Sequence, residues 1–140
     1  MILIKTIPVE LTWNIRHRVM WPNMPLDYVK LPKDKNGIHY GLFVDSELIA
    51  VLSLFIIPDQ KTAQFRKFAT LKNYQGKGYG SQLLNYVIGE AKNQKITKIW
   101  CNARIEKIAF YKKFGLQETK HTFVKNNMSY VIMEKPFLTQ

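Results

Sequence analysis

Three glycines in five residues, Gly76, Gly78 and Gly80 in the stretch NYQGKGYGSQLL (73–84), stand between two segments of opposite periodicity. Before them, TAQFRKFATL (62–71) has the β-branched and aromatic content of a strand. After them, Leu83, Leu84, Val87, Ile88 and Ala91 recur on one face of a helix. The chain must therefore turn from a strand into a helix through a loop whose backbone is free of Cβ restraint. The first N–H groups of a helix have no intrahelical acceptor, and the helix dipole is positive there. A glycine loop at that point lets several amides converge on one anion, phosphate above all. Lys77 adds a formal charge. A P-loop is excluded because no lysine lies between Gly80 and Ser81, and the Gly-x-Gly-x-Gly spacing does not match a dinucleotide fingerprint.

The rest of the chain supplies the frame. Ile2 to Ile7 reads as a strand, and Val9 to Val19 as a helix with Leu11, Ile15 and Val19 on its apolar face. Trp21 to Gly37 holds three of the six prolines and reads as loop with at most a short helix. Strands are predicted at 38–45, 48–58 and 62–71, joined by short polar breaks that favour antiparallel pairing. A strand over KITKIWCNA, a short helix ending at Gly115 and two strands meeting at Lys125-Asn126-Asn127 complete the order. That order implies an α/β chain with a mixed sheet and helices on its faces.

With 140 residues, 46% hydrophobic and 22% charged, the chain is expected to form one domain over 1–140. Its longest apolar run falls well short of a membrane span, and its N-terminus has no basic leader, so a cytoplasmic protein is expected. The single cysteine, Cys101, rules out an internal disulfide framework and multi-cysteine metal sites; on a buried-type strand it reads as a small hydrophobe. Twenty-one Lys and Arg against ten Asp and Glu give a net charge of +11, which favours a polyanionic partner. A nucleic-acid-binding module is one such reading, although the basic residues are scattered and match no recognition motif.

The glycine stretch resembles the Gln/Arg-x-x-Gly-x-Gly/Ala pyrophosphate loop of the GCN5-related N-acetyltransferases. IAFYKKFGL resembles that family's Phe-Tyr-x-x-x-Gly-Phe segment, and MSYVIMEKPF its last strand. The likeness runs from about Glu47 to Phe137 and more loosely through the N-terminal third. It implies a mostly antiparallel sheet of six to seven strands with helices on both faces. It also implies acetyl-CoA as co-substrate, no metal, and transfer of acetyl to a small-molecule or peptide amine. The fold often forms homodimers, and no membrane partner is implied.

Residue by residue, the resemblance implies that Phe68, Ala69, Thr70 and Leu71 offer backbone groups to the pantetheine arm. Gln75, Gly76, Lys77, Gly78, Tyr79, Gly80 and Ser81 would hold the pyrophosphate, and Tyr111 would protonate the departing thiolate. Arg104 stands where the family often has Asn, so Asn102 is the substitute contact. Ser129 stands where near relatives carry His, and no role carries over to it. The strand that often bears a catalytic glutamate offers Gln64 and Arg66 instead. His39 is a candidate base or a structural histidine, with His17 and His121 weaker candidates; a water held by carbonyls is another route for the amine proton. Trp13, Arg16, Arg18, Trp21 and Tyr28 are read either as acceptor-recognition groups or as core aromatics with solvated arginines. A CoA-binding protein without catalysis is the third reading.

Overall fold

The computed structural model describes residues 1–137. Its elements are β1 (Ile2–Thr6), α1 (Glu10–Met20), β2 (Ile38–Val44), β3 (Glu47–Ile57), β4 (Thr62–Thr70), α2 (Tyr79–Lys92), β5 (Lys98–Arg104), α3 (Ile108–Lys112), β6 (Gln117–Lys125) and β7 (Met128–Pro136). Short 3₁₀ turns fill the proline-rich loop at Leu26–Val29 and Asp34–Asn36. The seven strands form one sheet in the order β1-β2-β3-β4-β5-β7-β6, with β4 and β5 its parallel pair and the others antiparallel.

Strand geometry shows that both faces are covered. His39 and Tyr40 are consecutive in β2 and so point to opposite sides. His39 bonds Ser53, whose hydroxyl accepts from Arg16 of α1. Tyr40 packs edge-on against Tyr86 of α2, with ring centroids 6.0 Å apart. Helices α1 and α2 therefore lie on opposite faces. Tyr111 of α3 meets Phe65, which pairs with Leu54 on the Tyr40 side, so α3 shares the α2 face.

Helix α2 buries the expected stripe of Leu83, Leu84, Val87, Ile88 and Ala91. Its four large members contribute roughly 6–12 kcal/mol at ~1.5–3 kcal/mol each, before chain entropy is subtracted. Helix α1 meets the sequence expectation at Ile15 and Val19 and corrects it at Leu11. It buries Thr12, Ile15 and Arg16, while Leu11 is 48% exposed. The helix is turned so that Arg16 reaches a buried partner. Asp34 accepts from Arg16 through both carboxylate oxygens at 2.9 and 3.0 Å, and also from Trp13 and the Leu31 amide. Arg16 further donates to the Val29 carbonyl, which ties the proline-rich loop to the sheet.

Candidate active site

Strands β4 and β5 pair over three residues only, Thr62–Gln64 with Lys98–Trp100. Beyond Gln64 they diverge, and the edge of β4 from Phe65 onward faces a gap instead of a neighbouring strand. A bulge adds to the separation. Two steps along β3, Val51 to Ser53, match three along β4, Ala69 to Arg66, and Lys67 takes a left-handed φ of 57°. The gap opens into a cleft of about 920 Å³ that runs from the glycine loop to the tip of the β6–β7 hairpin.

At one end lies the loop. A 3₁₀ turn at Lys72–Tyr74 leads into Gly76 and Gly78, whose φ values of 76° and 86° lie in the region that disfavours a side chain. A Cβ built at either would touch nothing within 4 Å, so the space above both is open. Gln75 donates its side-chain amide to the Thr70 carbonyl and pins the loop to the end of β4. Gly78 caps α2 without a side-chain bond, and the first helical bond runs from Gln82 N–H to Gly78 C=O. The N–H groups of Tyr79, Gly80 and Ser81 precede that bond, so they have no intrahelical acceptor, and no acidic residue sits in the helix's first turn. Gly76, Gly78, Gly80 and Ser81 all line the cleft. Lys77 and Tyr79 direct their side chains to the Tyr74 ring, 5.8 and 6.2 Å from its centroid.

The middle of the cleft is lined by Phe68, Ala69 and Thr70 of β4 on one side and by Cys101, Asn102 and Tyr111 on the other. Leu71 falls outside this set. Its N–H goes to the Ile49 carbonyl of β3 and its own carbonyl accepts from Tyr74 in the turn, so both backbone groups expected to serve a ligand already have protein partners. Tyr111 sits between Phe65 and Phe110, with centroids at 5.8 and 5.3 Å. Burial holds its phenol above the ordinary tyrosine pKa; Cys101 pushes the same way and the Arg104 charge opposes. Burial also lifts the Cys101 thiol to about 12, so it stays neutral and unreactive near neutral pH.

At the far end the cleft is bounded by Trp21 and Tyr28 from the α1 side and by Phe123, Lys125 and Tyr130 from the hairpin. Asn126 at the hairpin tip reaches the Tyr28 hydroxyl at 3.5 Å and spans this end. Arg66 and Lys67 enter it from the bulge. Among the residues lining the cleft none is Asp, Glu or His.

Several sequence candidates are accounted for elsewhere. His39 is buried between Ser53 and the Asp34 carbonyl, at 2.7 Å from each, and is structural. His17 bonds the Met24 carbonyl, and His121 lies exposed on β6. Arg16 and Trp13 serve Asp34, so of the five proposed acceptor-recognition residues only Trp21 and Tyr28 border the cleft. Lys67 and Lys125 were missed by sequence reasoning. The double asparagine beside Lys125 marked the hairpin, but the bulge that turns Lys67 inward follows from strand register, which no local pattern showed. No group of three His, Cys, Asp or Glu able to hold a metal ion occurs among the described residues.

Known proteins resemble the chain in sequence and in fold. An uncharacterized N-acetyltransferase of Bacillus subtilis (strain 168), YitI, is 29% identical over 147 residues, covering 99% of each chain. The crystal structure of the Escherichia coli ribosomal-protein-S18-alanine N-acetyltransferase superposes with a TM-score of 0.80 at 17% identity, covering 100% of this chain and 96% of that one. A GNAT family acetyltransferase from Elizabethkingia anophelis, solved with acetyl-CoA bound, gives a TM-score of 0.74 at 19% identity, covering 97% and 98%. Residues 9–116 match the family described as Acetyltransferase (GNAT) family, and the chain belongs to it.

Proposed function

We propose that the whole chain acts as one cytoplasmic acyltransferase domain that moves acetyl from acetyl-CoA to a primary amine. The observation that carries this reading is the continuity of two sets of backbone groups, the first amides of α2 and the edge of β4 that β5 leaves unpaired, along one cleft with Tyr111 at its middle. A diphosphate fits the first set. Its negative charge meets amides at a positive helix end, and the bare Gly76 and Gly78 leave room for close approach. An amide-bearing arm fits the second set, where it would take the position of a missing strand. Phe68, Ala69 and Thr70 are the backbone segment for that arm; Asn102 faces it from β5.

Acetyl-CoA supplies a thioester whose carbonyl carbon accepts the amine and whose carbon–sulfur bond then breaks. The β4 amides stabilise the oxygen that becomes negative on the way. Tyr111, neutral and partly buried, donates its phenolic proton to the sulfur as the thiolate leaves. The amine's own proton passes to water, because no carboxylate or imidazole lines the cleft. That same lack favours a second reading, a CoA-binding protein without turnover.

One assay separates the two. Thiol released from acetyl-CoA, followed with DTNB across a library of amines, is expected to rise above the amine-free rate for at least one acceptor. Binding of acetyl-CoA with no amine-dependent thiol release would leave only the binding reading.

The glycine loop gives a further expectation. At Gly78, with φ at 86°, alanine costs about 1–2 kcal/mol in the left-handed region. Gly78→Ala is therefore expected to raise the KM for acetyl-CoA about 5- to 30-fold, through distortion of the loop, with the fold retained by circular dichroism. An unchanged KM would remove the loop from the site.

A further inference from the structure

We infer that the acceptor is a small amine that also carries a carboxylate or phosphate group, held by Arg66, Lys67 and Lys125 at the hairpin end of the cleft. The inference rests on the acyltransfer reading above and extends it to the substrate's other end.

Arg66, Lys67 and Lys125 meet here without a counter-ion, and two further cations, Arg104, which pairs with Tyr130 across β5 and β7, and Lys107, line the same cleft. Arg66 and Lys67 are adjacent in sequence, and in a regular strand they would point to opposite faces. The left-handed φ of 57° at Lys67 breaks that alternation, and both residues line the cleft. Lys125 approaches from the end of β6. None of the three makes an ion pair among the described residues. The nearest acid, Asp34, is occupied by Arg16 through both of its oxygens.

Charges held this way repel one another. Lys67 is brought down to about 8, first by burial and then by Arg66, Arg16 and Lys125, with Asp34 opposing. Arg66 is lowered by burial and by Arg16, again against Asp34. A bound anion relieves this repulsion, whereas a polyamine would add to it. Trp21 supplies a second, independent sign. Its indole N–H is buried beside this end of the cleft and has no acceptor among the described residues. Indole donates and cannot accept, so the partner it lacks is an oxygen or another electron-rich group. The Asn126–Tyr28 contact spans the end of the cleft, which suits a small molecule better than a continuing peptide chain.

The test uses matched amines on the protein: O-phosphoethanolamine against ethanolamine, glycine against glycinamide, and spermidine as a cation. Acetyl-CoA binding is measured first by calorimetry, and its failure would count against the acyltransfer reading alone. Thiol release then gives kcat/KM for each amine. At least one anionic member is expected to exceed its neutral partner tenfold or more, and which pair does so distinguishes carboxylate from phosphate.

The preference should fall toward one in Arg66→Gln and Lys125→Ala, while Lys120→Ala, exposed on β6 away from the cleft, keeps it. Binding of the anion should hold below pH 8 and weaken as pH rises above it, because Lys67 then loses its proton. If no amine in the panel is turned over, calorimetric affinity for the same pairs decides on the same criterion. Equal or better use of neutral or cationic amines, or a preference unchanged in both variants, would overturn the inference.

Discussion

Tyr111→Phe is expected to lower kcat for CoA release about 10²- to 10⁴-fold, the range for loss of a positioned general acid, with acetyl-CoA affinity nearly unchanged. The substitution removes one oxygen and keeps the ring that packs between Phe65 and Phe110, so the cleft wall stays in place. Burial sets the chemistry. A phenol kept above its ordinary pKa remains protonated through the neutral and mildly alkaline range, and it gives up its proton only when a strong base forms beside it. A solvated thiolate is the weaker base, with a thiol pKa of ~8.5 against ~10 for a phenol. One leaving into the same dry cleft has its pKa raised by the lost solvent, which brings the two groups closer. The sign follows for pH as well: a raised pKa moves deprotonation to higher pH, so activity should show no loss from Tyr111 as pH passes the usual tyrosine value of ~10. Steady-state kinetics with calorimetry on the same variant check this. Wild-type kcat in Tyr111→Phe would remove the role.

The second large effect concerns stability. Asp34→Ala should destabilise the fold by about 3–5 kcal/mol, because it leaves the Arg16 guanidinium, whose side chain is fully buried, without its counter-charge. It also strands the donors Trp13 and Leu31. The double variant Arg16→Met/Asp34→Ala should recover much of the loss, since the cost lies in the orphaned charge more than in the missing attraction. Urea unfolding followed by circular dichroism measures both.

The pH dependence has a definite direction. Burial alone would raise the Asp34 carboxyl, yet the bonds from Arg16, Leu31 and Trp13 outweigh it and hold the carboxyl below its ordinary value. Its stabilisation is therefore complete above the unfolded carboxyl pKa of ~3.9 and is lost as pH falls through the lower folded value. An Asp34→Ala protein as stable as wild type would contradict the assignment of this ion pair as the anchor of the proline-rich loop.

How much of this was legible in the sequence depended on whether a feature was local. The strand-to-helix joint at Gly76 and Gly78 could be read because turn residues and helical periodicity lie side by side in the chain. The α2 stripe was right in every member because an amphipathic helix reports its own buried face. Helix α1 was legible at Ile15 and Val19 but not at Leu11 and Arg16, for the opposite reason. Its inward face is set by Asp34, 18 residues away, and an arginine in the sequence gives no sign of a buried partner. His39 was ambiguous on the same grounds until Ser53 and the Asp34 carbonyl closed around it. At the site, Leu71 is implied with its neighbours, but its N–H goes to Ile49 of β3 and its carbonyl to the turn that follows. Lys67 depended on a one-residue offset between β3 and β4, a property of the pairing that neither strand shows alone.

The central claim is that the amides of the glycine loop and the first turn of α2 receive a diphosphate while the open edge of β4 receives the rest of the same ligand. Backbone amide chemical shifts recorded by NMR during a titration with coenzyme A test it residue by residue. The largest changes should fall at Gly76, Gly78, Tyr79, Gly80 and Ser81, with a second set along Phe68 to Thr70 at the same saturation. Saturable binding that leaves those amides in place, with shifts gathered on another face of the sheet, would contradict it.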